Sequence, residues 1–104
     1  MTVKQISVFI QNKKGRLAKV SRLLADNDIY IRALSIADTQ DFGILRLIVN
    51  DNETATKALN DAGYLIKTTE VVGVKIGDAP GKLSAALGVL DKAGINTEYL
   101  YAFM

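Results

Sequence analysis

Two short stretches, Asn12-Lys13-Lys14-Gly15-Arg16-Leu17 and Asp78-Ala79-Pro80-Gly81-Lys82-Leu83, decide how this sequence folds. Their glycines lie 66 residues apart. The same offset aligns further identical pairs without a gap: Leu24 with Leu90, Ile29 with Ile95 and Leu34 with Leu100. A repeat at one fixed offset indicates a duplicated structural unit. Because the sequence stops at Met104, we expect the second copy to be half a repeat, whether Met104 is the natural end or the end of a fragment.

The first copy has the periodicity of a βαββαβ unit. Alternating apolar residues around Val8 predict a strand, and apolar residues at helical spacing from Leu17 to Leu24 predict a helix. The remaining predicted elements are strands over 31–37, 42–49 and 65–69, and a helix that begins after Asp51 or Asn52 and stops at Gly63. This order predicts the ferredoxin-like α+β fold, an antiparallel sheet with helices on one face.

The second copy predicts a βαβ half repeat. Strands are expected over 72–76 and 97–103, on either side of a helix over 82–93. That helix is expected to bury four residues: Leu83, Ala86, Leu87 and Leu90. We therefore divide the chain into a complete domain over 1–70 and the first half of a second domain over 71–104, with a short hinge around Glu70-Val71. With no Pro/Gly/Ser-rich linker between them, the two copies are expected to pack together.

Composition excludes several functions. The 104 residues contain no Cys and no His, which removes thiol nucleophiles, disulfides and the commonest metal ligand and general base. Thirteen basic and eleven acidic residues give a net charge of +2, too small to indicate a nucleic-acid or membrane surface. No apolar run is long enough to span a bilayer, and the first residues do not have the charged-then-apolar pattern of a signal peptide. We expect a cytoplasmic protein that has no catalytic site, metal or cofactor.

RNA binding, one function of ferredoxin-like domains, is not favoured. Such domains stack bases on aromatic residues of the central strands. Here the stretch from Phe42 to Val49 is mostly aliphatic, and the first strand offers Phe9 alone.

The repeated loops suit the two ends of an α-amino acid. A glycine lets the backbone approach a ligand closely, and the following helix start offers unpaired N–H groups to a carboxylate. Asn12 and Asp78, at the mouths of the loops, could accept a hydrogen bond from the ammonium group. The alternative is purely structural: Asn12 and Asp78 cap their helices, and Gly15 and Gly81 turn the chain.

The same residues carry a family resemblance. Asp78-Ala79-Pro80-Gly81-Lys82-Leu83, followed by Gly94-Ile95-Asn96, resembles the D-x-P-G-x-L … G-I-N signature of ACT domains, and the whole chain resembles small stand-alone tandem-ACT proteins. The first copy departs from this pattern at Lys14 and Tyr30. The resemblance implies a regulatory module, not an enzyme, that binds an amino acid at a domain or subunit interface and modulates an enzyme of amino-acid metabolism. It implies these ligand-binding residues: Asn12, Gly15, Arg16, Leu17, Asp78, Ala79, Pro80, Gly81, Lys82, Leu83 and Asn96.

Two further features bear on assembly and binding. Tyr99, Tyr101 and Phe103 alternate, which predicts a packing surface that meets another sheet. A basic cluster around the first helix start is either a solvated face or an attraction for an anion: Lys13, Lys14, Arg16, Lys19 and Arg22.

The half repeat has a gap where a complete unit has its third strand. We therefore expect a homodimer in which each chain places its 72–76 strand in the gap of the other. The competing hypothesis for the whole chain is a ligand-free assembly module.

Overall fold

The structure, a computed structural model, describes residues 1–11, 13–38 and 42–102, with Asp38 described by its backbone alone. Its elements are β1 (Thr2–Gln11), α1 (Arg16–Asp26), β2 (Ile31–Asp38), β3 (Phe42–Val49), α2 (Asn52–Asp61), β4 (Leu65–Val72) and α3 (Lys82–Lys92). The first six elements confirm the predicted βαββαβ order, and α3 extends it. Residues 39–41, between the strands predicted over 31–37 and 42–49, lie outside the described residues.

The four strands form one antiparallel sheet in the order β2-β3-β1-β4. In the central pair, Ile6 lies opposite Leu47 and Val8 opposite Leu45, and all four side chains are buried on one face. Helices α1 and α2 cover this face with four fully buried residues: Val20, Leu24, Ala55 and Leu59. Because side chains alternate along each strand, the sheet has one face covered by helices and an opposite face, here called the open face.

Local chemistry sets the ends of α2. Asp51 is its N-cap, with Oδ2 accepting from the Thr54 hydroxyl at 2.6 Å and Oδ1 from the Thr54 backbone N–H at 3.2 Å. These hydrogen bonds, led by the one from the hydroxyl, hold the pKa of Asp51 below its ordinary value. After the helix, Gly63 adopts a φ of +87°, which favours glycine.

The hinge predicted at Glu70-Val71 is wrong. Both residues belong to β4, where Glu70 lies opposite Lys4 and Val71 opposite Val3 on β1. The pairing continues to Gly73, whose N–H donates to the carbonyl of Met1 at 2.7 Å. The chain therefore passes from the first copy to the second without a break in strand β4.

The two strands predicted in the second copy are also absent from the described residues. Only Val72 of the 72–76 stretch is in a strand, as the end of β4, and residues 95–102 form neither helix nor strand; Phe103 lies outside the described residues. A strand needs a hydrogen-bonded neighbour on its edge. In the first copy β3 lies between β1 and β2, and no described residue takes that place in the second.

Helix α3 is present as predicted, but its expected burial is wrong. None of its residues is buried: Leu83 is 48 % exposed, and Ala86, Leu87 and Leu90 are half-buried. Leu24, which the repeat aligns with Leu90, is fully buried against the sheet. The same sequence pattern therefore gives a packed helix only where a completed sheet lies beneath it.

Candidate functional site

The two repeated loops have the same backbone geometry. Gly15 has φ +83° and ψ −7°, and Gly81 has φ +86° and ψ −8°. In each loop the N–H of the residue after the glycine donates to the carbonyl of the residue two positions before the glycine: Arg16 donates to Lys13, and Lys82 donates to Ala79. The left-handed φ explains why both positions carry glycine.

Both glycines are N-caps, and neither α1 nor α3 receives a side-chain cap. Asp78 makes no hydrogen bond or ion pair within the described residues, so capping by Asp78, one of the two structural alternatives, is excluded. Of the first-turn N–H groups, those of Arg16 and Lys82 donate within the loops, and those of the next two residues of each helix are left for water or a ligand. A carboxylate is the group that such a helix start favours.

The remaining predicted residues fall into two groups. In the first loop, Asn12 lies outside the described residues, the Arg16 guanidinium donates to Gln11 Oε1 at 3.3 Å, and Leu17 lines an apolar groove of about 360 Å³ between α1 and β2. In the second copy, Asp78, Ala79, Pro80, Lys82, Leu83 and Asn96 are all exposed. No hydrogen bond or ion pair in the described chain joins the first loop to the second, or Asn96 to either.

The basic cluster also lies in solvent. Lys13, Lys14, Lys19 and Arg22 are exposed, and Arg16 is half-buried.

Among the described residues, no group of three or more His, Cys, Asp or Glu side chains could hold a metal ion. None of the described helices is long and apolar enough to cross a membrane.

A polar cluster on the open face joins the two copies. The side-chain amide of Gln5, on β1, is only 1 % exposed and is satisfied at both ends: Nε2 donates to the Tyr99 hydroxyl at 3.0 Å, and Oε1 accepts from the Tyr101 hydroxyl at 2.6 Å. The guanidinium of Arg46, on β3, lies 3.9 Å from the centroid of the Tyr99 ring. Tyr99 and Tyr101 therefore meet a sheet, as predicted, and that sheet belongs to the same chain.

The environment of Tyr101 disfavours its ionised form. Burial raises the pKa of Tyr101 above its ordinary value of 10.0, and a neighbouring Tyr99 adds to the rise while Arg46 acts against it. The hydroxyl is therefore held as a hydrogen-bond donor to Gln5.

Sequence reasoning missed Gln5 and Arg46. Both residues alternate with core residues on central strands, and that pattern predicts a solvent-exposed side chain. The available signal was the period-two aromatic pattern near the end of the chain, which requires a surface to cover.

A family model for the ACT domain pair matches residues 1–104. The chain belongs to this family. No curated protein sequence matches it significantly. Among solved structures, this ACT domain pair is similar to protein BT0572 from Bacteroides thetaiotaomicron, with 45 % identity and a TM-score of 0.94 over 100 % of this chain and 72 % of that one.

Two further structures resemble parts or all of this pair. The ACT domain of prephenate dehydrogenase from Bacillus anthracis is 29 % identical, with a TM-score of 0.54 over 61 % of this chain and 99 % of that one. The regulatory subunit of aspartate kinase from Thermus thermophilus, in a ligand-free form, is 20 % identical, with a TM-score of 0.72 over 95 % of this chain and 75 % of that one. At 20 % identity, the likeness to the regulatory subunit of aspartate kinase shows the fold alone. ACT domains are generally regulatory, non-catalytic ligand-binding modules, and this chain carries their pair fold.

Proposed function

We propose that this ACT domain pair binds an α-amino acid at its glycine loops and thereby modulates an enzyme of amino-acid metabolism. The observation that carries the proposal is the matched geometry of the two loops, each placing a left-handed glycine at a helix start without a side-chain cap. These groups suit a carboxylate. Asp78, which makes no hydrogen bond or ion pair within the described chain, would accept a hydrogen bond from the ammonium group.

Regulation follows from the location of the loops. In the second copy the site residues 78–83 and Asn96 are exposed, so a pocket would need a facing surface to close it. A ligand that binds only the closed arrangement stabilises that arrangement, and this difference in affinity is the coupling free energy on which allosteric control rests.

Thermal unfolding in the presence of each of the twenty amino acids tests this function. A ligand at 100 times its Kd stabilises the folded state by about 2.7 kcal/mol. That free energy corresponds to a rise in Tm of several degrees for a domain of this size. A Tm that none of the twenty amino acids moves contradicts the proposal and favours the ligand-free assembly module.

We also propose that the pair forms a homodimer through its second copy. Val74, Ile76, Leu90 and Ile95 are aligned by the repeat with Val8, Ile10, Leu24 and Ile29, all of which are buried in the first copy. Ile95, by contrast, is 55 % exposed. The second copy of another chain is the partner in this proposal: its 72–76 stretch would form a strand in the gap of this half repeat, and its apolar residues would cover these positions.

A substitution of Tyr101 would not be a clean test of that dimer. Its hydroxyl bonds to Gln5 of its own chain, so a substitution there disturbs the contact between the two copies within one molecule. Leu90, on α3, has no such partner and is the better position.

A further inference from the structure

A groove of about 270 Å³ lies at the end of the sheet, where β1 ends and β4 begins. Phe9 and Leu65 form an apolar side, and Arg16, Gln11 and Tyr64 bring polar groups to it. The groove adjoins the first glycine loop through Arg16, the first residue of α1.

The apolar side of the groove is a formed surface. Phe9 lies opposite Leu65 in the β1–β4 pairing, so both side chains lie on the open face. Leu65 is nevertheless 70 % exposed, whereas Gln5, four residues from Phe9 on the same strand face, is covered by Tyr99 and Tyr101. The described part of the C-terminal segment thus shields one end of the open face and leaves an apolar surface at the other end.

Charge defines the rim of the groove. The Arg16 guanidinium donates to Gln11 Oε1 at 3.3 Å, which orients it while leaving most of its five N–H donors for another acceptor. Lys13 and Lys14 add positive charge on the loop, and no acidic side chain of the described chain lines the groove. A carboxylate is the complementary group, because a guanidinium can bind it through two parallel hydrogen bonds.

We propose that this groove selects the ligand of the first loop and that the ligand is an α-amino acid with a branched or aromatic apolar side chain. Arg16 binds the carboxylate, and the side chain packs on Phe9 and Leu65. A charged side chain packed on Phe9 and Leu65 loses hydration against apolar carbon, and Arg16, the charged residue that lines the groove, is already paired with the carboxylate. The inference rests on the proposed function and adds the class of amino acid to it.

The test compares five probes by calorimetric titration and thermal unfolding: L-leucine, L-phenylalanine, glycine, L-aspartate and L-lysine. Leucine or phenylalanine is expected to bind most tightly. Arg16→Gln should weaken that binding about tenfold or more, since it removes a charge-assisted contact. Arg22→Gln removes the same charge from an exposed position of the same helix, outside the groove, and should leave the Kd within about twofold.

A second variant pair probes the apolar side. Leu65→Ser should weaken the binding of leucine or phenylalanine, and Val72→Ser, at an exposed position of the same strand outside the groove, should not. Aspartate, lysine or glycine binding more tightly than both apolar probes would overturn the inference while supporting amino-acid binding. Equal effects of Arg16→Gln and Arg22→Gln would also overturn it. Failure of every amino acid to bind would overturn the proposed function as well.

Discussion

At the scale of single residues, a comparison of Gly81 with Gly94 distinguishes a conformational role of glycine from a role in ligand binding. Both have positive φ, +86° and +73°, and at both an added Cβ meets nothing within 4 Å. Gly81 lies at the start of α3, and Gly94 follows its end.

We expect Gly81→Val and Gly94→Val to lower stability by a similar amount, about 1–2 kcal/mol, because both force an L side chain into the left-handed region. Only Gly81→Val should also weaken amino-acid binding, since its side chain stands between the helix start and a carboxylate. Urea unfolding measures the first effect, and titration with the amino acid that gives the largest Tm shift measures the second. An unchanged affinity in Gly81→Val would mean that this glycine only turns the chain.

Tyr101 provides a prediction on pH. Its pKa is higher in the folded chain than its ordinary value of 10.0, so the folded form holds its proton more firmly than the unfolded form. The contribution of Tyr101 to stability is therefore complete below pH 10 and is lost as the pH rises through the folded pKa.

Absorbance at 295 nm, followed from pH 8 to 13, measures this titration. The difference between the curves of the wild type and Tyr101→Phe should have its midpoint above 10. A midpoint at or below 10 would show that Tyr101 is not held against Gln5 in solution.

At the scale of elements, the repeat places equivalent leucines in different surroundings. Leu24 on α1 is fully buried, whereas Leu90 on α3 is half-buried. Leu24→Ala should lower the free energy of unfolding by about 2–5 kcal/mol, as is typical of fully buried leucines. Leu90→Ala, in dilute solution, should lower it by about 1 kcal/mol or less. Denaturant unfolding followed by circular dichroism measures both, and equal losses would show that α3 packs in the single chain as α1 does.

The elements also show how far the sequence predicts this fold. The range Phe42–Val49 was predicted to the residue, and α1 and α2 nearly so, because apolar periodicity and the Asp51 and Gly63 signals are local. The strands predicted at 72–76, beyond Val72, and at 97–103 are wrong within the described residues. Whether such a stretch forms a strand depends on a neighbour that local pattern does not supply.

The candidate site, too, was predictable from the sequence only where its signal is local. The glycine loops were predictable, since a left-handed turn before an apolar helix has a local signature. The groove was not, because Gln11, Arg16 and Tyr64 come from β1, from α1 and from the connection between α2 and β4, which only the folded chain brings together. The burial of Gln5 depends on residues 94 and 96 positions away along the chain.

At the scale of the whole molecule, the exposed apolar surface of the second copy predicts self-association. Sedimentation at increasing concentration should show a dimer at micromolar concentrations. Leu90→Asp should convert it to a monomer with the first copy still folded, because it places a charge on the apolar face of α3. Tyr30→Asp, which places the same charge at an exposed position of the first copy, is the control and should remain dimeric. A wild-type chain that stays monomeric at high micromolar concentration would contradict the dimer.

The measurement that tests the central claim most directly is an NMR titration of the ¹⁵N-labelled chain with the amino acid that most raises its Tm. Binding at the glycine loops predicts saturable shifts of backbone amides concentrated at residues 13–18 and 78–84, around the two helix starts. Amides of α2, whose start is already capped by Asp51, should remain unmoved. Saturable shifts confined to α2 or to other regions outside both loops, or no shift at any concentration, would contradict amino-acid binding at this site.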